Sequence, residues 1–162
     1  MKKIIAFVLL SALVLLSGCS ASHKPKASLS PKSIGTVSVD DKPFHAEIDF
    51  SGKQKLIILK GENSAFGTFY YFSPEKVKLK YDELETELSI NELPESNLAL
   101  LLYRAFSGAD SDKADWTKQK NKYIFSLKIN EVSCTGECTA EGKLVSIEIP
   151  QYKVYYKANQ TA

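Results

Sequence analysis

The chain opens with apolar positions that show no period and then changes to alternation. Residues 4–16 form an unbroken run of apolar and small side chains. Further on, Phe44, Ala46, Ile48 and Phe50 alternate with His45, Glu47 and Asp49, the period of a half-buried strand. Ser51-Gly52-Lys53 reads as a turn, and residues 54–60 as a second, more continuously apolar strand. Residues 67–72 give a third, in which Phe69 and Tyr71 oppose Tyr70 and Phe72. Both faces of that strand are aromatic, so both are expected to be at least partly covered. Ser73-Pro74 ends it.

The next segment sets its own register. Residues 76–81 and 84–88 flank Asp82-Glu83, and a two-residue turn pairs Tyr81 with Leu84, Leu79 with Thr86 and Val77 with Leu88. The same register places Lys80 opposite Glu85 and Lys78 opposite Glu87. One face is then apolar and the other carries opposite charges. The lysines read as a solvated sheet face rather than as a patch for anionic lipid. Leu79 and Tyr81 are expected to point toward the helix that follows.

That helix is marked by a change of period. Over residues 95–107, Leu98, Leu101, Leu102, Ala105 and Phe106 recur at helical spacing, with Pro94 near the start and Gly108 as the stop. A helix this apolar needs a sheet or a ligand against it. Residues 109–121 are polar and hold the sole tryptophan, Trp116. Alternation returns at Tyr123, Phe125, Leu127 and Ile129, then at residues 144–149 and at Tyr152, Val154 and Tyr156. The fold class is therefore mainly β (α+β): eight or nine antiparallel strands in a curved sheet or half-barrel, with one amphipathic helix on the concave face.

The opening run changes the picture of where this domain works. Its 13 residues fall short of the roughly 20 needed to span a bilayer. Lys2 and Lys3 precede it and small residues follow, which is the layout of a secretory signal peptide. Leu16-Ser17-Gly18-Cys19 resembles the bacterial lipobox. The resemblance implies a diacylglyceryl group on the Cys19 thiol, cleavage before Cys19 and acylation of the new amino group. Each buried methylene contributes about 0.8 kcal/mol, so two or three chains hold a protein on a membrane where one holds it marginally. The organisation read from this is a leader over 1–18, lipidated Cys19 with a flexible tether over 19–35, one β-rich domain over 36–158 and a tail over 159–162. His23 falls in the tether and reads as a solvated residue. The expected location is extracytoplasmic, anchored in a bacterial membrane of the cell envelope.

Losing Lys2 and Lys3 takes the basic count from 21 to 19, against 19 acidic residues. A balanced charge argues against nucleic acid as a partner. Of the basic residues only Arg104 is arginine, so forked recognition of phosphate or carboxylate is not repeated along the chain. With Cys19 acylated, Cys134 and Cys138 remain. Cys134-Thr135-Gly136-Glu137-Cys138 reads as a turn, and in an exported protein this pair is expected to form a disulfide. A redox centre would use a two-residue spacer, and a zinc site would need further ligands nearby. His45 reads as a surface residue beside Glu47. Asp40-Asp41, Asp110-Ser111-Asp112 and Glu85/Glu87 read as turn acids and sheet-face charges. No nucleophile elbow, phosphate loop or paired-histidine metal motif is present. The expectation is a protein with no metal, no cofactor and no enzymatic activity.

The order of elements is similar to that of the LolA/LppX-like lipoprotein carriers. The similarity rests on strands 44–50, 54–60 and 67–72, the 77–88 hairpin and the helix at 95–107, behind a lipobox. It implies a curved half-barrel whose hollow face holds acyl chains beneath a helical lid. On that footing Leu79, Tyr81, Leu98, Leu101, Leu102 and Phe106 are the expected ligand-binding residues, for a lipid or another apolar ligand. The alternative is a surface interaction module, an adhesin or inhibitor, with a filled core.

Overall fold

The computed structural model describes residues 27–159. The expected leader, Cys19, the tether as far as residue 26 and the last three residues lie outside the described residues. The chain forms β1 (Lys32–Val39), β2 (Lys42–Asp49), β3 (Lys55–Gly61), β4 (Thr68–Phe72), β5 (Lys76–Tyr81) and β6 (Leu84–Ser89). Helix α1 (Leu98–Ala109) follows, then β7 (Asp115–Gln119), β8 (Lys122–Ile129), β9 (Val132–Thr139), β10 (Leu144–Ile149) and β11 (Val154–Ala158). All eleven strands belong to one antiparallel sheet in the order β6-β5-β4-β3-β2-β1-β11-β10-β9-β8-β7. Two meanders, β1–β6 and β7–β11, are joined by a single ladder, β1 against β11. Across that seam the buried hydroxyls of Ser33 and Tyr156 are hydrogen-bonded at 2.6 Å. Helix α1 connects the two outer strands.

The strand count corrects the expected eight or nine to eleven. The three strands that sequence pattern misses all lack large alternating apolar residues. The inward positions of β1 are Ser33, Gly35 and Val37, and those of β9 include Cys134, Gly136 and Cys138. At the outer edge, β7 buries only Trp116. Backbone pairing to a strongly apolar neighbour makes each of them a strand.

The tether also ends earlier than expected. Strand β1 starts at Lys32, and Ala27 and Leu29 are already buried. The Ser30 N–H donates to the Gly142 carbonyl at 2.8 Å. Gly142 has φ +82, and a Cβ there would overlap the Ser28 carbonyl. Residues 27–31 are thus strapped over the β9–β10 turn by backbone contacts that their polar composition does not advertise.

The β5–β6 hairpin has the expected register, Tyr81 opposite Leu84 through Lys76 opposite Ser89. Its turn has no Gly, and Asp82 takes the left-handed conformation at φ 54. Asp40-Asp41 and Asn130-Glu131 turn the β1–β2 and β8–β9 hairpins with positive φ at both residues, the geometry that suits two-residue hairpins.

Helix α1 starts at Leu98, the first residue of its apolar period and three residues later than the expected range of 95–107. The Asn97 side chain caps it, accepting from the Leu100 N–H at 3.0 Å. It also runs through Gly108 to Ala109 rather than stopping there. Gly108 serves close packing instead: a Cβ would stand 2.9 Å from Leu127 Cδ1 of β8. At the other side, the Tyr103 ring stacks on Phe72 of β4 at 4.4 Å. Those helix positions are about 7.5 Å apart along the axis. In a flat sheet β4 and β8, seven strand spacings apart, would be separated by about 34 Å. The sheet therefore curls toward the helix, and the core lies between them.

Candidate functional site

The helix covers only part of the sheet face that it packs on. Leu101, Leu102, Ala105 and Phe106 are buried against it, and Leu98 is half-buried. The Phe106 ring meets Phe50 at 4.8 Å, and Phe50 and Phe72 lie at the same end of their strands. At the opposite end the same face is apolar and less covered. Phe44, Leu59, Tyr70 and Leu79 are half-buried there. Tyr81 is 43% exposed, Leu84 74% and Phe66 52%. The registers β2–β3, β3–β4, β4–β5 and β5–β6 bring these side chains to one end of five neighbouring strands and the β3–β4 loop.

Of the expected ligand residues, then, the structure divides the set. Leu101, Leu102 and Phe106 belong to the packed helix–sheet interface. Leu79 and Tyr81 belong to the open end. Tyr81 does not reach the helix as expected; its ring meets Phe66 edge-on at 6.3 Å. The hairpin simply extends past the helix, which crosses nearer the other end of the strands. Phe66 went unmarked in the sequence because it sits in the loop between β3 and β4, outside any period. A lone phenylalanine among Ser64, Ala65 and Gly67 was the available signal. Beside this end lies a cavity of about 410 Å³ lined by Pro43, Phe44, Lys60, Gly61 and neighbouring residues. A smaller one, about 230 Å³, includes Phe106 with Leu29, Pro31 and Phe50.

The other face of the hairpin is charged, with Lys80 exposed and Lys78 partly so. Its ion pairs run diagonally rather than straight across: Lys76 to Glu87 and Lys78 to Glu85, each at 2.6 Å. The hydrogen bond to Lys76 holds Glu87 below the usual carboxylate range, and Glu85 raises Lys78 in the same way. Next to this charged strip, Leu56, Ile58, Phe69 and Tyr71 make an outer band that is half-buried, with Phe69 and Tyr71 stacked at 6.4 Å. His45 is exposed, its Nε2 at 3.2 Å from Glu47 Oε1.

The expected disulfide is not formed. Cys134 and Cys138 are free and buried. They are not in a turn but in the middle of β9, where four residues of extended chain span about 13 Å. A disulfide requires Cα atoms within about 7 Å. Both thiols face the core, Cys134 opposite Leu127 and Cys138 opposite Tyr123. Burial pushes the Cys134 thiol up to about 12 and the Cys138 thiol to about 11, the neighbouring Glu137 adding to the latter. The thiolate is the reactive form. At pH 8 both are expected to resist a maleimide or disulfide reagent in the folded protein and to react fully in denaturant, counted by mass. Because the folded state holds these protons more tightly than the unfolded chain, the pair contributes stability below about pH 9 that falls away as pH rises toward 11 and 12. Rapid reaction in the native state would contradict the buried placement.

Among the described residues no three His, Cys, Asp or Glu side chains come together as a metal site, and no helix is long and apolar enough to cross a membrane. Two buried polar atoms lack a hydrogen-bond partner among the described residues, Arg104 Nη1 and Trp116 Nε1. No protein-family model and no curated protein sequence matches this chain.

Proposed function

We propose that this is a lipid-anchored extracytoplasmic protein that binds a lipid or another apolar ligand in the cell envelope. In this reading the curled sheet is a half-barrel with α1 as a partial lid on its concave face, the arrangement that the similarity to LolA/LppX-like carriers implies. The observation that carries it is the apolar end of that face, where Phe44, Leu59, Phe66, Tyr70, Leu79, Tyr81 and Leu84 gather beyond the reach of the helix. Exposed apolar clusters of this kind mark binding surfaces more often than they occur by chance. The seat of the ligand is then the open end rather than the interface around Leu101 and Leu102.

The test of binding is native mass spectrometry of protein extracted from membranes, together with titration of a fluorescent fatty acid. Tyr81→Asp with Leu84→Asp should abolish the co-purifying mass and weaken the probe at least tenfold while leaving the melting temperature within a few degrees. Absence of any bound lipid in the wild type, and no probe binding, would favour the second reading. That reading is a surface interaction module, and what favours it is the filled helix–sheet interface and the outer band of Leu56, Ile58, Phe69 and Tyr71. The test of anchoring is separate. Cys19→Ala should move the protein from the membrane to the soluble fraction and remove the acyl mass; a wild-type protein found unmodified in the medium would reject anchoring.

A further inference from the structure

We propose that the convex face of β1–β6 packs on the same face of a second copy of this chain, about a two-fold axis that runs along the strands between β3 and β4. This is the reverse of the face assigned to the ligand, so the inference stands apart from that reading.

Ile48, Ile57, Phe72 and Val77 are buried on the concave side, so their neighbours along each strand point outward. The strand registers align those neighbours in two rows. From β1 to β6 one row reads Lys32, Asp49, Leu56, Tyr71, Lys78, Glu87. The other reads Ile34, Glu47, Ile58, Phe69, Lys80, Glu85. In both, an aliphatic and an aromatic residue sit in the middle, with an acid on the β2 side and a lysine on the β5 side. The first row carries the pattern to its ends, with a lysine before the acid and a glutamate after the second lysine.

Such a row is complementary to itself when turned round. The two-fold axis exchanges β3 with β4, β2 with β5 and β1 with β6. Leu56 then faces Tyr71 of the second copy, and Ile58 faces its Phe69. Asp49 faces Lys78, Glu47 faces Lys80 and Lys32 faces Glu87. Only Ile34 opposite Glu85, at the rim, departs from this complementarity. Moving the axis by one strand, to lie between β2 and β3, would set Asp49 and Glu47 against Leu56 and Ile58, so the charges select the axis. The four central side chains are half-buried, and Phe69 and Tyr71 are stacked at 6.4 Å, which gives the contact an ordered apolar centre. Lys80 is exposed and has no ion-pair partner among the described residues, and Glu47 has only His45, at 3.2 Å. A second copy supplies each with a full counter-charge. The sheet curls away from this face, so two copies touch along the crest at β3 and β4 and part toward β2 and β5. Apolar side chains lie at the crest, and the long lysines and glutamates lie where the gap opens. Packed sheets cross at about 30°, which displaces facing positions of β2 and β5 by about 4 Å, a distance that a lysine side chain spans. Six strands extend over about 24 Å, so the footprint is at the small end of specific interfaces and the dimer is a weak one.

The experiment is sedimentation equilibrium of the full mature chain, kept free of lipid by Cys19→Ala, with Glu47→Lys or Lys80→Glu added. Each of these charge reversals sets like charges together twice across the axis and should weaken self-association at least tenfold, with the melting temperature within a few degrees of the parent's. An equimolar mixture of the two variants should associate as the parent does, because positions 47 and 80 of unlike variants carry opposite charges at both contacts. That recovery cannot come from a change in folding. Tyr81→Asp with Leu84→Asp, which the ligand reading expects to abolish lipid binding, should leave self-association unchanged. A parent chain still monomeric at about 1 mM overturns the inference and leaves this face to a partner of another sequence. Self-association that survives both charge reversals, that the mixture does not restore, or that is lost with Tyr81→Asp and Leu84→Asp overturns it as well, whatever the lipid measurements give.

Discussion

Gly136→Ala is expected to lower stability by about 3 kcal/mol, the upper end of what overpacking a core costs. Gly136 sits in the middle of β9, opposite Phe125 of β8, on the face that looks into the core. A Cβ at this position would fall within the Phe125 ring. The ring cannot swing aside, since it is fully buried and held by Trp116 at 5.1 Å between ring centres. For a domain of this size the loss corresponds to roughly 10 °C in melting temperature. Thermal unfolding followed by circular dichroism measures it. Phe125→Leu added to Gly136→Ala should recover part of the loss, because the smaller side chain vacates the space the methyl needs. An unchanged melting temperature in Gly136→Ala would show that the ring does not lie over β9.

The second large effect is expected at Leu102, which has no exposed surface and is enclosed between α1 and the sheet. Leu102→Ala removes buried methyl groups and leaves a cavity, for a cost of about 2–5 kcal/mol. Under the proposed function this loss appears in urea unfolding but not in the affinity for an apolar probe at temperatures where the variant is folded. If probe affinity falls more than tenfold with little change in stability, Leu102 lines the ligand site and the open end around Tyr81 is not the seat of binding.

How much could be read from the sequence follows from where side chains differ most. The β5–β6 hairpin was legible to the residue because apolar and charged positions alternate along both arms, Thr86 aside, on either side of Asp82-Glu83. The helix was legible because Leu98 to Phe106 keeps its period, although its end was misplaced by treating Gly108 as a stop when its small size serves contact with Leu127. Strand β9 was not legible, because two cysteines around a glycine read as a staple across a turn. In the structure the same residues are small inward positions of a strand, and Gly136 makes room for Phe125. Of the candidate site, Leu79 and Tyr81 were placed on the right face. Their distance from the helix depends on the angle at which α1 crosses the strands, which is a property of packing and not of local pattern. Arg104 was noticed only as a compositional oddity, since the burial of one of its nitrogens is not carried by any local pattern.

The seam between β1 and β11 bears on the order in which the molecule can be completed. A polypeptide emerges amino end first, so β1 forms early beside β2 while its other neighbour is the last strand made. The partners Ser33 and Tyr156 are separated by 123 residues. The entropy of closing such a loop grows only slowly with its length, about 0.6 kcal/mol for each doubling, so the delay is one of sequence order rather than of cost. Until residues 154–158 arrive, β1 and β10 each present an open row of backbone donors and acceptors in what becomes the centre of the sheet. Such edges pair readily with other chains. Shielding during synthesis is therefore needed most at the middle of the finished sheet, and a chain that lost its final strand would keep two half-sheets joined only through α1.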